Sequence, residues 1–409
     1  ILGLGALPGG LTNDKFVLMG DGGSLNLGLK VHASSDIANE QDADGVSNTF
    51  AADIALVSDS KITIDAGSVL AAPNITLTAN AKSTGGLVKG ILADATSTVT
   101  VMNATLTAAG GTVRLEAKSD VNVNEDGDNI FGNGLSVTVV TSFNKASVQV
   151  GGTTQISADK VQLDAAVNGS LVATPNSSTV RIIEVLSGFD ASVHVGDTAS
   201  LTGTTSVDAK AHTDAVVNAY ATPGSSNNNA SFDAAIVNVN VLNSPLDGTF
   251  TGGSDVTVDG SAQINNGGGT TTLRADDKLV VTSEADGNVV GTAGATLAIN
   301  TITNFDTRAR ISGNAAVTAA TLNLAAESLR NVTAKASSTP GGASGSAAPA
   351  NSGQSQSTSS GQALSNNNAS TGNGSNGGGS IQIAGAIAVN VLGSVPLILP
   401  NEMLQTEAA

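Results

Sequence analysis

The chain has 409 residues, of which 40% are hydrophobic but only 2% are aromatic, with one Tyr, eight Phe and no Trp. Acidic residues outnumber basic ones by 34 to 17, and the formal net charge of -17 disfavours nucleic acid and anionic membrane surfaces as partners. The absence of Cys excludes disulfides, thiol catalysis and thiolate metal sites. No apolar run approaches the roughly 20 residues of a spanning helix, so no membrane insertion is expected.

The N-terminal part of the chain, residues 1–59, has a Gly/Pro-broken apolar start followed by short alternating segments. We interpret it as the degenerate first coils of a repeat body. The start at Ile1 and the end at Ala409 are typical of a piece of a longer chain, whose remainder is an expected partner.

Residues 60–336 form the repeat region, and its pattern is clearest in residues 144–168. Apolar residues there alternate with small polar ones in three short segments, which is the period of a strand with one buried face. Gly151-Gly152 and Asp159-Lys160 separate the segments and predict two turns. Segments this short bury a face only when copies stack on one another.

Six copies of this pattern can be aligned. The first segments begin at Ile62, Val99, Val148, Val193, Val256 and Ala309, and the third segments at Ile75, Val113, Val161, Val207, Leu273 and Leu322. The spacing between them is 13 or 14 residues in five copies and 17 in the fifth, from Val256 to Leu273. A longer apolar segment, such as residues 135–140, precedes most copies, and a unit has about 37 to 63 residues.

Length varies after the third segment, where residues 119–134 and 212–231 are predicted inserts on one face of the body. Residues 337–380 are almost wholly Ser, Gly, Asn, Ala, Gln and Pro, and predict a flexible insertion. Residues 381–409 are predicted to hold the final strand of the body and a cut end.

The pattern predicts an all-β parallel β-helix, or β-solenoid, in which each strand pairs with the equivalent strand of the next coil. The general handedness of parallel crossovers favours a right-handed coil. Tandem immunoglobulin-like β-sandwiches are the alternative, but they would need repeats of roughly 90 to 100 residues and a buried Trp or Tyr.

Several segments, including AIVNVNVL at 235–242 and NKASVQVGGTTQISADKVQLDAA at 144–166, resemble the repeats of large secreted bacterial filamentous adhesins of the filamentous haemagglutinin and leukotoxin-like type. The resemblance covers about residues 60–400. It implies an extracellular β-helical shaft at the bacterial cell surface, with a host or cell-surface ligand or neighbouring copies as partners.

Two acidic clusters offer hard oxygen ligands at close spacing. They contain Asp42 and Asp44, and Asp126 and Asp128, in predicted turns or inserts. Such oxygens are suited to calcium, although neither cluster completes an EF-hand. A calcium site and a plain solvated loop both remain open, and no other cofactor is predicted.

The predicted outward residues of the repeat argue against a catalytic role. Carbohydrate-active β-helices need grouped carboxylates and aromatic platforms, whereas the predicted outward residues are Ser, Thr, Gln and Asn, and Tyr220 is the sole Tyr. His32, His194 and His212 are scattered, and His194 is predicted to face outward. We therefore predict a non-catalytic structural shaft. The alternatives are a surface-layer or matrix scaffold, a carbohydrate-active β-helix enzyme and a calcium-dependent binding module.

Overall fold

The computed structural model describes residues 16–21, 23–27, 30–32, 37–43, 55–86, 91–133, 135–175, 180–221, 232–241, 252–288, 293–303, 305–339, 370–372, 382–392 and 406–408. In this part of the chain every regular element is a strand and none is a helix. The strands are β1 (Phe16–Asp21), β2 (Gly23–Leu27), β3 (Lys30–His32), β4 (Ile37–Ala43), β5 (Ala55–Ile64), β6 (Val69–Ala71), β7 (Ile75–Gly86), β8 (Ile91–Met102), β9 (Thr105–Asn133), β10 (Leu135–Gly151), β11 (Gln155–Pro175), β12 (Val180–Val195), β13 (Ser200–Ala221), β14 (Phe232–Val241), β15 (Gly253–Val258), β16 (Gln263–Asn288), β17 (Ala293–Ile302), β18 (Asp306–Ile311), β19 (Ala316–Thr339), β20 (Ser370–Gly372), β21 (Gln382–Leu392) and β22 (Thr406–Ala408).

The strands lie in two parallel sheets, which we call sheet A and sheet B. Neighbours in sheet A follow the order β1, β4, β7, β9, β11, β13, β16 and β19, and β3 and β6 lead into β9. Neighbours in sheet B follow the order β2, β5, β8, β10 and β12, after which each level has two strands, β14 with β15, β17 with β18 and β21 with β22. One coil therefore contributes one level to each sheet.

The predicted all-β class and parallel pairing are confirmed, and the arrangement is compatible with a parallel β-solenoid. Among the described strands, only the pairs β9–β10 and β20–β21 are antiparallel, and each is two or three residues long. Immunoglobulin-like sandwiches consist of antiparallel sheets, so that alternative is wrong.

The repeat alignment is correct for the first segment and wrong in one copy of the third. Val148 pairs with Val99 in the coil before it and Val193 in the coil after it, as predicted. In the fifth copy, however, Val207 pairs with Thr271 instead of Leu273. Thr271 is fully buried, so a polar residue at an otherwise aliphatic position hid the register.

The predicted turn at Gly151-Gly152 is present and repeats from coil to coil. Thr154 N–H donates to Gly151 O at 3.3 Å, and Gly152 has a φ of 63°. Asp197 and Gly260, at the same place in the next two coils, have φ values of 56° and 63°. A positive φ at the first central residue alone is typical of a type II′ turn. The turns are also joined directly, because Ser261 N–H donates to Asp197 O at 2.6 Å.

The turn predicted at Asp159-Lys160 is instead an irregularity within β11, where the pairing register shifts between Ala158 and Lys160. The Asp159 carboxylate accepts hydrogen bonds from the hydroxyls of Thr204 and Thr205 in the next coil. These bonds hold the pKa of Asp159 below its usual range. The corner is therefore a bulge bridged by side chains, and the chain continues as a strand.

The strands also extend further than predicted after the third segment. Residues 119–134 were predicted as an insert, but β9 continues to Asn133. Val121 and Val123 are buried there while Asp120 and Asn122 are not, which is the period of a strand. The predicted insert 212–231 likewise begins inside β13, which ends at Ala221. These strands are hard to recognise in the sequence because their buried apolar residues are small and alternate with Asn and Asp, which are typical of loops.

The predicted segment boundaries, 1–59, 60–336, 337–380 and 381–409, stay predictions. The strands described within 1–59 pair in parallel with the coils that follow them. The predicted insertion 337–380 lies mostly outside the described residues.

The core lies between the two sheets and is aliphatic. Leu77, Leu115 and Leu163 stack in successive coils and are fully buried. Each such side chain contributes roughly 1.5–3 kcal/mol through burial. Phe189 and Phe305 are the large aromatic exceptions, with 0% and 2% of their surface exposed.

Across the middle of the core the two sheets approach so closely that side chains of one bond to the backbone of the other. Ser97 Oγ donates to Ala79 O at 2.7 Å, and Thr213 Oγ1 donates to Gly253 O at 2.9 Å. Gly253 has a φ of 86°, and a Cβ there would lie 2.0 Å from Asp306 O. Glycine is therefore required at this point, and the hydroxyls of Ser97 and Thr213 are satisfied by backbone acceptors.

Candidate functional site on the outer face of sheet A

Three of the four predicted calcium ligands lie on described strands. Asp42 lies in β4, in register with Asp21 and Asn80, and Asp44 lies outside the described residues. Asp126 and Asp128 lie on β9, so their prediction in a turn or insert is wrong.

The described part of the chain contains no group of three or more His, Asp or Glu side chains that could hold a metal ion. Calcium binding through Asp42, Asp44, Asp126 and Asp128 stays a prediction.

Charged side chains form clusters on the outer face of sheet A, in addition to the Ser, Thr, Gln and Asn residues expected at outward positions. Residues in register form columns across the coils, about 4.8 Å apart. One column contains Glu116, Asp164, Lys210 and Arg274; the next contains Lys118, His212, Asp276 and Glu327; and the third contains Asp120, Asn168, Asp214 and Lys278.

The first cluster on this face surrounds Glu116, whose side chain is 9% exposed. Its Oε1 lies 2.8 Å from Arg114 Nη2 and 2.7 Å from Lys118 Nζ. Asp164 of the next coil lies 3.7 Å from the same Arg114 nitrogen, and burial raises the pKa of Asp164 although Arg114 opposes the shift. Two cations thus balance two carboxylates across adjacent coils.

The second cluster joins three successive coils. His212 Nδ1 lies 2.6 Å from Asp276 Oδ2, Arg274 Nε donates to Asp276 Oδ1 at 2.8 Å, and Arg274 Nη2 donates to Glu327 at 3.0 Å. The hydrogen bond to Asp276 raises the pKa of His212 despite partial burial. Burial works against ionisation of Asp276, but hydrogen bonds from His212 and Arg274 outweigh it and lower its pKa. The cluster therefore favours the charged form of both partners.

A shallow groove of about 340 Å³ lies beside these clusters and crosses four coils, from β7 to β13. Its polar lining comprises Lys82, Asp120, Asn122, Asn168, Ser170 and Asp214. Gly169 also lines the groove, and a Cβ on it would lie 2.1 Å from Cε1 of the buried Phe189 ring. The Phe189 ring therefore lies directly behind Gly169 in the core, where it leaves no room for a side chain.

The groove offers both donors and acceptors of hydrogen bonds. Asn168 Nδ2 donates to Asp120 Oδ1 at 2.7 Å, and Lys278 Nζ donates to Asp214 Oδ2 at 3.2 Å. Asp120 and Asp214 are two coils apart, which places their Cα atoms about 10 Å from each other. Ammonium, amide, hydroxyl and carboxylate groups in one groove suit a ligand rich in hydroxyl groups.

The histidines are dispersed over the described strands. His194 faces outward as predicted, and its Nε2 lies 2.9 Å from Asp259 Oδ1 in the next coil. His32 lies in β3, and His212 belongs to the second charged cluster. The sequence pattern missed this cluster because His212 and Asp276 are 64 residues apart. Only the correct strand register reveals that they are neighbours.

Comparison of the chain with protein-family models, curated proteins and solved structures finds no match. The described residues also include no helix of the length and apolarity needed to cross a membrane. The proposals below therefore rest on the residues and the geometry of this chain.

Proposed function

We propose that the chain is a non-catalytic structural segment of a large extracellular bacterial adhesin or surface filament, built as a right-handed parallel β-solenoid. The observation that carries this proposal is the pairing of equivalent strands from coil to coil in both sheets. A body of this kind grows by addition of coils, each contacting only its neighbours. Such growth suits a shaft that spans a distance.

The side chains support the same role. Hydroxyl groups, amides and ion pairs on the outer face of sheet A join one coil to the next, as in Arg274 to Glu327 and Asn168 to Asp120. The absence of Cys and the low aromatic content fit stability obtained from repeated hydrogen bonding. The resemblance of the repeats to filamentous adhesins favours the cell surface, and the preference of parallel crossovers favours the right hand.

Immunogold labelling of intact cells of the source organism tests the proposal. Antibodies against the purified chain should place gold particles on fibres that extend from the cell surface. Preimmune serum is the matched control. Labelling that appears only after the cells are permeabilised would contradict an extracellular role.

A second candidate, carbohydrate processing in the groove, is favoured by Asp120 and Asp214. Both carboxylates line the groove, two coils apart, and inverting glycosidases use two carboxyl groups that flank a groove with room for a water between them. The double variant Asp120→Asn and Asp214→Asn should then abolish release of reducing ends from a polysaccharide panel. Equal absence of release by the unaltered chain would eliminate this candidate and leave the structural role.

A further inference from the structure

The outer face of sheet B differs from that of sheet A, because its long strands carry aliphatic residues toward the outside. We call the aliphatic members of the outward set of β14, β17 and β21 the aliphatic face: Ile236, Leu297, Ile299, Ile387, Val389 and Val391. The outward set also contains the polar residues Asn238, Asn240 and Thr301. Ile236 and Val391 are 37% and 38% exposed, and the other four aliphatic residues are half-buried. The same register continues to Ile182 of β12 and Val137 of β10.

The polarity of β17 and β21 is reversed relative to an ordinary solvated sheet. Their buried side includes Asn300 and Asn390, which are 0% and 5% exposed. Asn300 Nδ2 donates to Asn390 Oδ1 at 2.8 Å and to Thr333 O at 2.8 Å, so these amides are paired inside the protein. A sheet with one solvated face places polar residues outside, whereas a strand that is aliphatic on its outer face is typical of a sheet covered on both sides.

The aliphatic face carries no charge at its centre. Neither β17 nor β21 contains a charged residue. The carboxylate of Glu184 lies at the margin and accepts hydrogen bonds from Asn238 Nδ2 at 2.8 Å and Asn240 Nδ2 at 2.8 Å. The net charge of -17 would keep copies apart elsewhere, so this neutral surface is where two copies can approach.

The size of the surface fits a contact between proteins. The three levels of β14, β17 and β21 at about 4.8 Å and seven residues at about 3.3 Å give roughly 330 Å². A standard-size interface buries about 800 Å² on each partner, so the aliphatic face would form the apolar centre of a contact and the residues around it would form the larger polar rim. A membrane surface fits less well, since interfacial binding relies on basic and aromatic anchors that β14, β17 and β21 do not provide beyond Phe232.

We propose that the aliphatic face binds the same face of a second copy of this chain, forming a two-fold symmetric dimer with β17 and β21 at its centre. A two-fold axis brings one patch against itself, so a single surface is sufficient. Two sheets packed in this way lie about 10 Å apart, with their aliphatic side chains interdigitated.

Sedimentation velocity of the full chain from about 1 to 100 µM tests the dimer, because that range resolves micromolar dissociation constants. The double variant Ile299→Lys and Val389→Lys should weaken dimerisation at least roughly 100-fold, since each buried ammonium lies at the centre of the contact. The control Gln162→Lys and Thr272→Lys adds the same charge to the outer face of sheet A and should dimerise like the unaltered chain. If circular dichroism shows that the lysine variant does not fold, the double variant Ile299→Thr and Val389→Thr replaces it, because Thr is also a β-forming residue.

Each of four results would overturn the proposal. The unaltered chain could stay monomeric up to about 100 µM, the upper end of ordinary weak association. The control could lose the dimer as completely as the aliphatic variants. Assemblies could grow beyond the dimer as concentration rises, which would indicate end-to-end stacking of coils instead. A monomeric chain could float with neutral phosphatidylcholine vesicles, which would assign the aliphatic face to lipid.

Discussion

The outer faces of sheets A and B use the same strand period in opposite ways. On sheet A, charged and amide side chains point outward above an aliphatic interior, as between Gln162 and Leu163. On β17 and β21 of sheet B, Leu297 and Val389 point outward while Asn300 is buried. The alternation alone therefore identifies a strand, but the identity of the outward set separates a solvated face from a contact face.

The largest expected effect tests the division between inside and outside on sheet A. Leu163→Ala removes a fully buried side chain and should reduce the free energy of unfolding by about 2–5 kcal/mol. Gln162→Ala, one residue away on the outer face, should change it by less than about 0.5 kcal/mol. Urea unfolding followed by circular dichroism measures both. Comparable losses would mean that the outer face of sheet A is covered.

The floor of the groove gives the next largest effect. Gly169→Ala places a Cβ 2.1 Å from Cε1 of Phe189, so the ring must move in a packed core. Overpacking of this kind costs about 1–3 kcal/mol. Phe189→Leu in the same chain should recover part of that loss, and Ser170→Ala is the outward control. Additive losses for Gly169→Ala and Phe189→Leu in a double-mutant cycle would rule out the contact.

The smallest effect is the pH dependence of the second charged cluster. Because Asp276 raises the pKa of His212, this contribution is complete below the ordinary His pKa of about 6.5 and is lost as pH rises through the higher folded value. The lowered pKa of Asp276 adds a contribution present above the ordinary Asp pKa of about 3.9 and lost as pH falls through the lower folded value.

His212→Gln should therefore destabilise the chain more at pH 5.5 than at pH 9, by less than about 1 kcal/mol because the pair is partly exposed to solvent. Melting temperatures of the variant and the unaltered chain at both pH values measure the difference. Gln162→Ala, at an outward position of sheet A without a titratable side chain, is the control. A larger loss at pH 9 would have the wrong sign for the His212–Asp276 pair.

Much of the fold follows from local pattern. The first segments, as at Val148, and the Gly151-Gly152 turn were predicted correctly. Period-2 alternation of apolar and polar residues identifies the strand, and glycine identifies a position with a positive φ. The assignment failed where one polar residue replaced an aliphatic one in the core, as at Thr271. The predicted turn at Asp159 failed because a bulge and a turn use the same residue types.

The charged clusters and the aliphatic face lay beyond such pattern reading. His212 meets Asp276 only through strand register, and the length of chain between the coils varies too much for spacing to reveal it. On β17, the simplest assignment places Ile299 inside and Asn300 outside. In the structure Asn300 is buried, and its Nδ2 donates to Asn390 Oδ1 and Thr333 O; these partners lie on other strands, so the local pattern does not reveal them.

The stacking of coils is tested most directly by one distance between spin labels. Thr76 and Asn323 belong to one outward column, joined through Arg114, Gln162, Asp208 and Thr272. Five steps of about 4.8 Å place their Cα atoms roughly 24 Å apart. The chain has no native Cys, so Thr76→Cys and Asn323→Cys can be labelled cleanly.

Double electron–electron resonance on labelled chain diluted into an excess of unlabelled chain, so that a dimer adds no second distance, should give one narrow distribution centred near roughly 24 Å, broadened only by the label linkers. A broad distribution, or one centred beyond about 40 Å, would exclude a stack of coils at strand spacing and contradict the fold on which the proposed function depends.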